Sequence, residues 1–89
     1  MKLINLINPA VVISDLALIC QPEDVVLLRQ DAVYLCLRDG IRWPTTRLYA
    51  LETDLQVRQI KAPTGIGTAT AEYWLELNIS AQQVLLWQS

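Results

Sequence analysis

Four consecutive aliphatic residues, Val25-Val26-Leu27-Leu28, set the strongest constraint on what this chain can fold into. No polar residue alternates within the run, so a strand built from it offers neither face to water. Such strands belong to parallel sheets flanked by helices. The segments on either side agree. Lys2 to Ile7 reads as a short aliphatic first strand, and Asn8-Pro9 breaks it. Asn suits a helix cap and Pro the first helical position, and Ser14 is a second candidate cap. A helix is expected within Pro9 to Cys20, its surest part Asp15 to Cys20. Ile13, Leu16, Ala17 and Cys20 would share an apolar face at i, i+3, i+4 and i+7.

The pattern then repeats. After the second strand, a short helix is expected from about Ala32 to Arg38, with Asp31 as its cap, Gly40 at its end and Val33, Cys36 and Leu37 facing inward. Arg42-Trp43-Pro44 is a connector. Arg47 to Leu51 reads as the third strand, and Glu52 to Ile60 as a helix with acidic residues at its start and basic ones toward its end. Pro63 and Gly65 break the chain before a short strand at Ile66 to Thr68. Ala69 to Ile79 is the last helix, with Trp74, Leu77 and Tyr73 inward, and Val84 to Trp87 the last strand. Strict alternation of strand and helix predicts one three-layer α/β/α domain over residues 1–89, with a mostly parallel sheet of about five strands. Gly65-Ile66-Gly67 lacks the third glycine of a phosphate-binding loop and reads as a turn.

Composition adds a second constraint. Of 89 residues, 53% are hydrophobic, against about 45–50% in an average soluble domain. A domain this small buries only roughly 60–65% of the surface its unfolded chain exposes. The surplus is either a densely filled core or a partner interface. The seven basic residues are scattered and the net charge is −2, so the concentrated basic face that binds nucleic acid is missing. No run approaches the ~20 apolar residues of a membrane span. Asn5, Asn8, Pro9 and Asp15 interrupt the N-terminal apolar stretch, and Ile19 stands where lipoprotein cleavage before Cys20 needs a small residue. The expected location is the cytoplasm. There a disulfide between Cys20 and Cys36 is not expected. The chain contains no His, which removes the commonest general base and metal ligand, and no zinc-type cysteine spacing is present.

The run Asp24-Val25-Val26-Leu27-Leu28-Arg29-Gln30-Asp31-Ala32-Val33-Tyr34 resembles the TusB/DsrH family, which has a leucine-rich strand followed by Gln-Asp-Gly-Val-Tyr. Leu48-Tyr49-Ala50-Leu51 with Asp54 and Arg58 is similar to the family's Tyr-Ala-Leu, Asp and Arg-Gly-Leu. Trp74-Leu75-Glu76-Leu77 leading into Val84-Leu85-Leu86-Trp87 is similar to its aromatic-led helix and terminal strand ending in Trp, and Asn8-Pro9 stands where members often have Ser-Pro. The resemblance covers nearly the whole chain. Two departures stand out: Ala32 and Gln59 replace glycines.

The resemblance implies a flavodoxin-like, DsrEFH-like fold and homologous partners: TusC-like and TusD-like, or DsrF-like and DsrE-like, subunits in a hetero-oligomer; expressed alone, the chain has a homo-oligomer as the alternative, and no cofactor is expected. It implies a place in a relay that passes persulfide sulfur toward 2-thiouridine at the tRNA wobble position, or toward sulfur oxidation. The sulfur-carrying cysteine of such complexes sits mainly in the D-type or E-type subunit, though some DsrH-type members carry one in the first helix. Cys20 is the candidate carrier here. Against that role stand its place on an apolar face, at the negative end of a helix, beside Glu23 and Asp24; a sulfur carrier needs a low-pKa, accessible thiol. Cys36 reads as a packing residue. Asp31, at the carboxyl edge of the sheet, is either a helix cap or part of a shared pocket or subunit contact. Trp43 is the aromatic most expected to be exposed, fitting core and interface equally. The expected function is that of a non-catalytic relay subunit. The rivals are a carrier using Cys20 and a stand-alone small-ligand module.

Overall fold

Residues 1–87 are described by a computed structural model. Five strands alternate with helical segments: β1 Lys2–Leu6, α1 Ile13–Ala17, β2 Val25–Leu28, a 3-10 helix Gln30–Leu37, β3 Leu48–Leu51, α2 Glu52–Val57, β4 Gly67–Ala69, α3 Ala71–Ser80 and β5 Gln83–Trp87. Every strand pair is parallel, in the order β4-β3-β2-β1-β5. The uninterrupted run in β2 is explained by its place: all four residues are fully buried, between β1 and β3 and between two helical layers.

Strand order decides where the helices go. The first three crossovers step the same way along the sheet, so right-handedness puts α1, the 3-10 helix and α2 on one face. There they pack on Ile4, Leu6, Val26, Leu28, Leu48 and Ala50. The last crossover returns from one edge, β4, to the other, β5. Its helix α3 therefore lies on the opposite face, over Leu3, Val25, Leu27 and Ala69.

Several local expectations need correction. The first helix begins at Ile13 and ends at Ala17, so it is shorter than expected and Cys20 lies beyond it. Asn8 does not cap it: its side-chain oxygen accepts from the Ala10 N–H (2.9 Å), closing a local turn instead. Ala17 faces solvent, because the short helix buries only Leu16. The second helix is a 3-10 helix, and Leu37 points outward at 65% exposure while Leu35 is buried. Ala32-Val33 and Leu35-Cys36 recur at a spacing of three, so three residues per turn keep both pairs inward. The same period puts Tyr34 and Leu37 together on the outside.

Candidate functional site

Asp31, at the carboxyl edge, is not a cap. The 3-10 helix starts from Arg29 without a side-chain cap, and Asp31 is exposed within its first turn. Its carboxylate instead accepts from Nε and Nη2 of Arg58 (3.2 and 3.0 Å). Arg58 stands just past α2, where it also pairs with Asp54 at i,i+4 (3.5 Å). Asp54 in turn accepts from the Gln30 N–H (2.8 Å), at a residue held in the left-handed region with φ 50. Asp31, Arg58, Asp54 and Gln30 thus clamp the 3-10 helix onto α2. Asp31 is largely solvated, so its ion pair contributes only about 0–1 kcal/mol. The Asp54–Arg58 link has a spacing legible in sequence; the Asp31–Arg58 link, 27 residues apart, has none.

Trp43 lies at the other end of the sheet, in the connector that leads into the start of β3. It is half-buried against the main core rather than the most exposed aromatic, which among the described residues is Tyr34. With Arg38, Leu48, Gly65 and Ile66 it lines an open cavity of about 250 Å³. The connectors before β3 and β4 form this cavity, so it belongs to the amino edge. The structure therefore does not bring Asp31 and Trp43 into one site. Gly67, at the start of β4, is required by packing: a Cβ there would lie 2.7 Å from the Tyr49 ring.

Both thiols are buried. Cys20 is buried against the core at the start of the connector to β2, its Sγ 3.5 Å from the Gln21 carbonyl. Burial raises its pKa, and the charges of Asp24 and Glu23 push the same way while Lys2 opposes them. Cys36 is buried under the 3-10 helix, and burial raises its pKa too. A thiol that resists ionisation and faces the core is a poor sulfur nucleophile.

Sequence reasoning did not single out Asp24 as a structural centre. It is almost fully buried, accepts from the N–H groups of Lys2 and Gln21 (2.8 Å each) and pairs with the Lys2 ammonium (3.0 Å). Burial alone would raise its pKa; those two N–H groups and the ammonium outweigh it and hold the carboxyl below its ordinary value. Arg29 is a second such residue. At the end of β2 its guanidinium lies 4.3 Å from the Trp74 ring centroid on α3. No sequence spacing links residues 29 and 74.

Among the described residues, no group of three His, Cys, Asp or Glu side chains is placed to hold a metal ion, and no helix is long and apolar enough to cross a membrane. The groups singled out here are spent on structure: Asp31 and Asp54 at the carboxyl edge pair with Arg58, and the thiols are buried. A family model described as DsrH like protein matches residues 10–84. No curated protein matches the sequence.

Proposed function

The chain belongs to the DsrH-like family, and from that premise we propose that it is a non-catalytic, TusB-like subunit of a sulfur-relay complex that supports 2-thiolation of the tRNA wobble uridine. The family works in complexes with DsrE/DsrF-like partners, and a relay needs an exposed, ionisable thiol in only some of its subunits. The burial of Cys20 and Cys36, with both pKa values raised, is the observation that favours a supporting role over a carrying one. In this reading the chain works in the cytoplasm. It holds TusC-like and TusD-like subunits so that the cysteine of one of them meets its sulfur acceptor.

Incubation of the assembled complex with a cysteine desulfurase and cysteine tests this directly. Intact-mass analysis is expected to find the added sulfur on a D-type subunit and none on this chain. Deletion of the gene is expected to lower 2-thiouridine in cellular tRNA. A sulfur adduct on this chain that disappears in Cys20→Ser would make it a carrier and overturn the proposal. A monomer that ignores both partners would overturn the subunit role altogether.

A further inference from the structure

The two faces of the sheet are unequally covered. Among the described residues, three helical segments pack on one face and α3 alone on the other. Parallel sheets are found with both faces buried. On the α3 side, β5 breaks that rule: Val84 and Leu86 are about half exposed. In register they sit beside Leu3 and Asn5 of β1 and point to the same side.

The open ground lies on one flank of α3. Tyr73 stacks edge-on against Tyr49 of β3, with ring centroids 5.2 Å apart, whereas Trp74 reaches Arg29 at the end of β2. The Trp74 flank therefore faces toward β1 and β5. Along it, Ala71, Trp74, Leu75 and Asn78 line an apolar groove of about 520 Å³. Leu75 (61% exposed) and Ile79 (76%) continue it, one helical turn apart.

Unmet polar groups mark the same side. Among the described residues, four buried side-chain polar atoms lack a hydrogen-bond partner, and three of them are Asn5 Oδ1, Arg29 Nε and Trp74 Nε1. A native fold leaves few such atoms without a reason. Arg29 stacks on Trp74, but among the described residues its Nε meets no acceptor and no carboxylate lies within ion-pair distance of it. The complement of this surface is an aliphatic segment carrying a carboxylate, which an Arg fork binds through two parallel hydrogen bonds.

On the reading of this chain as a relay subunit, we propose that the trough between α3 and β5 is the docking surface for a different subunit, which lays an apolar segment along Leu75, Ile79, Val84 and Leu86 and delivers a carboxylate to Arg29. A second copy of the chain fits less well. A twofold contact sets the same patch against itself, which would oppose trough to trough and bring the same cation from both sides.

The test uses the chain co-expressed with DsrE-like and DsrF-like subunits. In the wild-type complex, amide hydrogen exchange is expected to slow in residues 71–80 and 83–87. Arg29→Met keeps an apolar side chain over Trp74 and removes the charge. It is expected to leave the free subunit as stable or more so, yet weaken assembly about tenfold or more. Ile79→Asp is expected to weaken assembly similarly. Arg29→Lys supplies an amine, and a zero-length carbodiimide is expected to join it to an Asp or Glu of the partner. If the wild type fails to assemble, the subunit reading falls and the docking surface with it. If it assembles but protection lies over α1 and α2, or both weakening variants bind within about twofold of wild type, or a homodimer of the chain alone covers α3, the docking proposal is overturned and the subunit reading stands.

Discussion

Gln59 shows how one side chain records a local compromise. It follows α2 by two residues and adopts φ 54, in the left-handed region. The Ile60 N–H bonds to the Leu55 carbonyl (2.9 Å) and the Gln59 N–H to the Gln56 carbonyl (3.1 Å). Together these two bonds form a Schellman motif, in which the left-handed position is usually Gly. The contact it sets up also serves the core, since Ile60 and Leu55 pack into the same cluster. A side chain with a Cβ costs about 1–2 kcal/mol in that conformation. Gln59→Gly is therefore expected to raise the unfolding free energy by about 1 kcal/mol, read as a higher denaturant midpoint with unchanged slope. A fall in stability would mean that the Gln59 side chain makes a compensating contact. Ala32, the other site where the resemblance expects Gly, needs no such relief: it is buried, and its φ is not positive.

At the scale of elements, β2 and the 3-10 helix contrast in how far sequence reasoning reaches. The strand was legible because a solid aliphatic run has few other solutions. The helix was legible as a helix, but its period was not, because Val33, Leu35, Cys36 and Leu37 are all apolar and fit spacings of three and of 3.6. Packing settles it by burying the pairs three apart. The distinction is measurable. Leu35→Ala removes a buried side chain from the main cluster and is expected to cost about 2–5 kcal/mol, whereas Leu37→Ala is expected to stay within about 0.5 kcal/mol. An α-helix with Leu37 inward would reverse that order in equilibrium denaturation. The short α1 teaches the same lesson from the opposite side. Asn8, Pro9 and Ser14 are good cap residues, but Asn8 spends its oxygen on the Ala10 N–H in a local turn, and the helix starts only after Val12, which is extended and offers no side-chain cap.

For the whole molecule, alternation of strand and helix was enough to predict a parallel α/β sheet, but strand order was not legible. The order matters most for function, because the return of the last crossover from β4 to β5 gives one face three helical segments and the other face one. The contacts that would locate a site, Asp31 with Arg58 and Arg29 with Trp74, join residues far apart in the chain and exist only once that order is set. Asp24 belongs to the same class. It ties the first strand, through the Lys2 N–H and ammonium, to the Gln21 N–H ahead of β2. Its carboxyl in the folded chain is held below its ordinary value by these partners, so the unfolded chain takes up this proton more readily than the folded one. The stability that Asp24 contributes is complete above about pH 5. It starts to fall as the pH drops toward the unfolded value, and it is gone once the folded value is passed. Asp24→Ala, which orphans two N–H groups and a partly buried ammonium, is expected to cost about 3 kcal/mol at neutral pH. Urea titrations of both proteins from pH 7 to pH 2 are expected to show that gap narrowing on the acid side. A gap that stays constant through pH 3 would mean that the Asp24 charge adds nothing to the anchoring of β1.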